Sequence, residues 1–206
     1  VSGNVSSIVR GERRKVLQVV ISLDENQEYV DFGVRNVNDV SSKEIIDSLL
    51  RAGLFGYINQ LPYAISTNPD VLPKGIFISA LRDKPLACDF EYELIGNEID
   101  FQTGLTALSR ISKTYLGIGR NQCSESLRRV KDVEVNIFDG PCPAGNVGVQ
   151  INHINPVNKG DVVWTVDPTT VIYIGRLFNK GKVDLHHTIA IVGSEVHEPL
   201  LNNLPI

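Results

Sequence analysis

Two runs rich in β-branched and aliphatic residues open the chain, Val1–Val9 and Val16–Ile21, on either side of the polar stretch Arg10-Gly11-Glu12-Arg13-Arg14-Lys15. Such runs around a Gly-containing turn predict a β-hairpin. A lone hairpin is marginal in water. Residues 1–30 are therefore expected to complete a small sandwich whose first half lies upstream of residue 1.

After a polar linker at 31–38 the period changes. Ser41 with Glu44 three positions on is a capping box. Ile45/Leu49 and Ile46/Leu50 then repeat at helical spacing, and Gly53 suits the helix end. From about residue 75, short apolar runs alternate with amphipathic stretches. Strands are predicted at Ile76–Ala80, Tyr115–Ile118, Val133–Phe138 and Thr188–Val192. A helix is predicted within 97–112, with Phe101, Leu105 and Leu108 on one face, and a short charged one at 124–131. Asp167-Pro168 marks another helix start, since Asp is a good N-cap and Pro is favoured at the first helical position. Val171, Ile174 and Phe178 line that helix, and Gly181 follows it. Strands alternating with helices predict an α/β fold, a Rossmann-like parallel sheet over about residues 36–195 beside a separate N-terminal β element.

Composition narrows the reading a little. With 206 residues and 42% hydrophobic content, the chain can bury a core without metals or disulfides. A net charge of −4 argues against a nucleic-acid partner, whose phosphates need a basic field. Cys88, Cys123 and Cys142 are odd in number and scattered, which fits neither a disulfide framework nor a zinc site and points to a reducing compartment. No apolar run approaches the roughly 20 residues of a membrane span. The chain starts at Val1 and contains no Met, as a trimmed piece of a longer protein would.

The stretch Gly140-Pro141-Cys142-Pro143-Ala144-Gly145-Asn146-Val147-Gly148 directly follows a predicted strand. Open α/β sheets place ligands at such positions, and backbone N–H groups at a helix start attract anions. Gly140, Pro141, Cys142, Gly145, Asn146 and Gly148 are therefore the ligand-cleft candidates, with the glycines letting backbone approach a ligand. A tight turn needing Gly and Pro explains the same residues, and is the favoured reading on sequence alone. No GxGxxG or GxxxxGK[ST] fingerprint is present. Cys142 could be a reactive thiol at a helix start; a small buried residue is the expectation.

Four histidines, His153, His186, His187 and His197, give no metal-ligand spacing. The adjacent pair His186-His187 would point to opposite faces of a strand. Arg10, Arg13, Arg14 and Lys15 read as a solvated turn. Trp164 and Phe178 could line a pocket for a flat ligand, but aromatic residues so placed are usually core. No Ser/His/Asp or paired-carboxylate pattern suggests a catalytic residue.

Longer stretches carry a resemblance. FDGPCPAGNVGVQINHINPVNKGDVVWTVDPTTVIYIGRLFNKGK, from Phe138 to Lys182, resembles a segment of the family formed by the A subunit of the sodium-translocating NADH:quinone reductase. So do VSGNVSSIVRGERRKVLQVVI at the start, IFISALRDKPLA, GNEIDFQTGLTAL, and GSEVHEP at Gly193–Pro199. The likeness runs the length of this chain but covers only part of the family's full-length protein.

The resemblance implies a peripheral subunit on the cytoplasmic side of the bacterial inner membrane, with the other subunits of the complex as partners. Electrons pass from NADH to quinone in that complex, coupled to sodium export, and quinone is a candidate ligand of this component. Residues 1–30 resemble the C-terminal half of a barrel-sandwich (biotinyl/lipoyl-like) domain. Residues 36–206 resemble a Rossmann-like domain related to the flavin- and NADH-binding subunit of respiratory complex I. Those flavoprotein relatives carry a phosphate loop like GLGGAGFP. Here the matching stretch, Gly53 to Tyr63, holds Phe55, Tyr57 and Ile58 where backbone must approach phosphate. No tightly bound FMN or NADH is expected. Leu61 replaces the Arg or Lys common before that Pro, and Cys142 the His of GPHPAG. The rival readings are a stand-alone flavin- or nucleotide-dependent oxidoreductase using 140–148, and a pure scaffold module.

Overall fold

The computed structural model describes residues 2–197 and the backbone of 200–204; the last two residues of the 193–199 motif lie outside them. Two compact units divide the chain, residues 1–31 and 32–206.

In the first unit, β1 (Gly3–Arg10) pairs antiparallel with β2 (Val16–Leu23) around a 3-10 turn at Glu12–Arg14. Ile8 faces Val19, and Gly3 faces Leu23. All of β1 and β2 is exposed, apolar side chains such as Val5, Ile8, Leu17 and Leu23 included. The Arg10–Lys15 cluster is largely solvated, as its composition predicts.

The second unit begins its regular structure with α1 (Ser42–Arg51). Both halves of the capping box form: Ser41 Oγ accepts from Glu44 N at 3.4 Å, and Glu44 Oε2 accepts from Ser41 N at 2.9 Å. Next come a 3-10 turn at Leu54–Tyr57, β3 (Ile58–Leu61), β4 (Ile65–Ser66) and β5 (Ile76–Ser79). Then follow α2 (Phe90–Leu94), α3 (Glu98–Ser109), β6 (Thr114–Gly119), α4 (Glu125–Arg128) and β7 (Glu134–Phe138). The chain continues through α5 (Val147–Ile154), β8 (Val163–Val166), α6 (Pro168–Lys180), β9 (His187–Ile191) and β10 (Leu200–Leu204).

The central sheet runs β4-β3-β8-β5-β6-β7. Strands β8, β5, β6 and β7 are parallel, which agrees with the α/β expectation. Two differences stand out. The segment at 58–61 is not a loop: β3 pairs antiparallel with β8, so the sheet is mixed. The predicted last strand is not in this sheet, because β9 pairs antiparallel with β10 in a ribbon of its own.

Alternation along the strands sorts the two faces. Ile76, Ile78, Leu116 and Ile118 join the main core with α1, α2, α3, α4 and α6. Phe77, Tyr115 and Val163 point the other way, toward Ile151 of α5, and the Phe77 and Tyr115 rings stack at 4.7 Å. Trp164 and Phe178 are fully buried core, each large apolar side chain contributing about 1.5–3 kcal/mol. Helices α3 and α6 cross so closely that a Cβ on Gly175 would collide with the Asp100 backbone, and one on Gly104 with that of Val171.

Candidate functional site

Parallel strands direct their carboxyl ends to one edge, and a crevice opens where the chain leaves neighbouring strands in opposite directions. In this sheet β5 is followed by β6 and β7 on one side, while β8 lies on its other side. The switch point therefore falls between β5 and β8. A cleft of about 480 Å³ lies there, lined among others by Ser79, Asp83, Thr165 and Asp167 from the segments that end β5 and β8.

Three further segments close the cleft. Tyr57 and Asn59 come from the 3-10 turn and β3, and Cys142, Pro143, Gly145, Asn146 and Val147 from the turn after β7. That turn is tied to the end of β5. Ser79 Oγ donates to Gly145 O at 2.9 Å, and Gly145 N donates to Asp83 Oδ2 at 2.8 Å. Gln150 Nε2 donates to Ala144 O at 3.0 Å from below. Gly145 is required here, since a Cβ would collide with the Leu81 carbonyl and the Asp83 carboxylate.

Of the six sequence candidates, Cys142, Gly145 and Asn146 line the cleft; Gly140, Pro141 and Gly148 are not among its lining residues. Gly140 has nothing within 4 Å of an added Cβ, and Gly148 is exposed. Close backbone approach is thus a property of Gly145 alone among the three glycines. Cys142 is exposed rather than buried, because the turn projects beyond the sheet edge, and all three cysteines are free thiols. The strand feeding the turn, β7, is the outermost of the parallel set, not a central one.

Sequence reasoning missed Arg82, Asp83 and Lys84. The signal was available: a charged triplet and Pro85 immediately after an apolar strand. Arg82 is an anchor. Its Nη2 lies 3.0 Å from Glu93 Oε2, donates to Thr169 Oγ1 at 2.9 Å, and sits 3.6 Å from Asp167 Oδ1. The guanidinium also lies over the Phe90 ring at 5.5 Å. Behind Tyr57, the Tyr173 ring packs edge-on at 6.3 Å. Burial, then the Glu93 charge, push the Tyr173 hydroxyl up to about 12.

Three backbone N–H groups at or beside the cleft are already engaged. Gly145 N binds Asp83, Gly148 N binds Asn146 Oδ1 at 2.8 Å, and Thr169 N binds Asp167 Oδ1 at 2.9 Å. A phosphate placed on Gly145 N or Thr169 N would have to displace a carboxylate. Those three positions therefore offer a dinucleotide or flavin phosphate no ready cradle, although Arg82 and Lys84 also line the cleft. Among the described residues, no three His, Cys, Asp or Glu side chains gather as a metal site.

Comparison with known proteins decides the family. Residues 40–183 match the family described as the NqrA second alpha/beta domain. The chain belongs to this family. It is 33% identical to the A subunit of the Na(+)-translocating NADH-quinone reductase of Yersinia pseudotuberculosis, across 97% of this chain and 45% of the relative. The Pseudomonas aeruginosa protein of the same name is 34% identical over the same shares. That of Neisseria meningitidis is 33% identical across 98% of this chain and 46% of its own length. The chain spans a little under half the length of these relatives. The NqrA match takes in α1 through α6, hence every segment that lines the cleft, and starts after the hairpin. No helix among the described residues is long and apolar enough to cross a membrane.

Proposed function

We propose that this chain is part of a peripheral subunit of a membrane complex that transfers electrons from NADH to quinone and exports sodium. The observation that carries the reading is similarity across 97% of the chain to subunits named for that reaction. NADH and quinone are substrates of the assembly, and the α/β unit contributes structure and contacts with other subunits rather than catalytic residues. It sits on the cytoplasmic side and binds no nucleic acid, consistent with its net charge of −4. Residues 1–30 belong to a barrel-sandwich domain and residues 36–206 form the Rossmann-like domain. Exposed apolar side chains on both hairpin strands support the first assignment, since such surface is normally covered by further strands.

Affinity purification of the tagged chain from its host, in mild detergent, tests the assembly. Membrane subunits and NADH:quinone reductase activity should co-elute; elution of the chain alone overturns the reading. Calorimetry with FMN and with NADH tests the pre-engaged cleft. Neither should bind, and micromolar binding of either would show that the side-chain caps yield to phosphate.

A further inference from the structure

The turn that ends the hairpin of the first unit concentrates charge that nothing in the fold uses. Arg10, Arg13, Arg14 and Lys15 are exposed, and none of the four joins an ion pair among the described residues. Arg10 Nη1 donates to Arg14 O at 3.3 Å, inside the turn itself. Four cations against the single carboxylate of Glu12 leave an excess of three positive charges over residues 10–15.

The other carboxylates of this unit are kept at the far end. Asp24, Glu25, Glu28 and Asp31 all follow β2. Their segment is tied to the start of β1: Asp24 N donates to Ser2 O at 3.1 Å, Gln27 Nε2 to Ser2 O at 3.1 Å and Glu28 N to Ser2 Oγ at 2.9 Å. The eight residues of β2 set the two ends about 26 Å apart, at roughly 3.3 Å per residue. Charges in physiological salt are screened beyond about 8 Å. These acids therefore do not neutralise the turn. Its backbone is strained as well. Arg13 and Arg14 have φ of 53° and 61°, a left-handed region that Gly, Asn and Asp enter far more readily. Strain held at two adjacent residues whose side chains have no ion-pair partner in the described fold points to a role outside it.

We propose that this turn is a docking point for an anionic lipid surface, its guanidinium groups pairing with headgroup phosphates and carboxylates. Arginine suits such anions because its planar donors match two oxygens at once. Clustered cations beside a membrane are drawn to acidic lipids, each adding to the attraction. The turn is convex and none of its residues lines the β5–β8 cleft, so it fits a flat array of anions rather than an ion enclosed in a pocket. The choice of a membrane over an acidic protein rests on the reading above that the chain serves a membrane complex.

Co-sedimentation of the chain with vesicles tests the idea, using phosphatidylcholine alone and phosphatidylcholine mixed with phosphatidylserine. The mixed vesicles should carry the chain down at millimolar lipid, less so as salt is raised, and pure phosphatidylcholine should not. Arg13→Gln/Arg14→Gln should weaken the binding at least tenfold. Lys43→Gln/Lys159→Gln removes the same charge at exposed positions of the second unit and should bind like the parent. Equal binding to both vesicles, no binding to either, or equal loss in the two variants overturns the proposal. Vesicles contain no other subunit, so such a failure leaves the proposed assembly to be judged by co-elution. If the chain ignores vesicles while Arg13→Gln/Arg14→Gln lowers that co-elution, the turn docks on an acidic protein and the lipid assignment is wrong.

Discussion

The cleft between β5 and β8 and a smaller cavity of about 310 Å³ beside α6, lined among others by Glu93, Asn97, Arg176 and His186, satisfy their polar groups to different degrees. In the cleft, three backbone donors, Gly145 N, Gly148 N and Thr169 N, are held by Asp83, Asn146 and Asp167. In the cavity, the terminal nitrogens of Arg176 hold His186 O and Asn97 Oδ1, while Arg176 Nε and Glu93 Oε1 are both buried without a hydrogen-bond partner. Arg82 joins them, lining the first and pairing with a carboxylate on the wall of the second. A ligand crevice in the expected topological place is therefore weak ground for a ligand: what its polar groups already hold matters more.

The largest expected effect comes from cutting that link. Arg82→Met leaves Glu93 buried with no cation against Oε2. Removing one partner of a buried pair costs about 3–5 kcal/mol, and the low end applies because Arg82 keeps 26% of its side chain exposed. Urea unfolding should show that loss, and most of it should return in the Arg82→Met/Glu93→Gln double variant. If the double variant is no more stable than Arg82→Met, Arg82 acts through Phe90 and Thr169 instead of through the charge pair.

Gly145→Ala tests the cleft turn. The added Cβ meets the Leu81 carbonyl and the Asp83 carboxylate, so the turn must shift and strain its bonds to Ser79 and Asp83. Overpacking of this kind costs about 1–3 kcal/mol, read as a lower urea midpoint. An unchanged midpoint would mean that the turn is loosely held and that the caps yield easily.

Much of this architecture is legible in the sequence because its cues are local. Ser41 and Asp167 are N-caps in both sequence and structure, and the apolar face of α6 is a repeat read within one helix. What escaped depends on distant partners. Strand β3 has only four residues with a polar centre, Asn59-Gln60, and its identity comes from pairing with Val163–Val166 about a hundred positions away. Likewise β9 has a good strand composition, but composition does not say that it leaves the main sheet for β10. At the site, the 140–148 turn stood out through its Gly and Pro content. Asp83 did not, since a charged turn residue looks the same whether it faces water or caps an N–H.

Acid should weaken the cavity side. Burial disfavours the Asp184 carboxylate, but hydrogen bonds from His186 and Lys180 and the Arg176 charge outweigh it and hold the group down to about 2. A depressed carboxyl stabilises the fold above its unfolded value of 3.8, and that contribution disappears as pH falls through about 2. With solvent screening it is on the order of 1 kcal/mol. Thermal midpoints of the chain and of Asp184→Asn, measured from pH 5 to pH 2, should converge as the pH drops. Parallel curves would mean that Asp184 titrates alike folded and unfolded.

The smallest effect is expected at a residue that the sequence singled out for the cleft. Gly148 lies in the first turn of α5, is exposed, and would bring an added Cβ against nothing but Asn146 Oδ1, at 3.1 Å. Replacing helical Gly by Ala gains about 0.4–1 kcal/mol through the unfolded chain. Crowding of the Asn146 cap on Gly148 N offsets part of it, since a cap is worth about 1 kcal/mol. Gly148→Ala should therefore change stability by less than about 0.5 kcal/mol and leave the proposed assembly with membrane subunits unaffected. The contrast with Gly145→Ala, three positions away in the same segment, is the point of the pair. If Gly148→Ala proves as damaging as Gly145→Ala, backbone approach at 148 matters to something that covers α5, and the turn has a binding face outside the cleft.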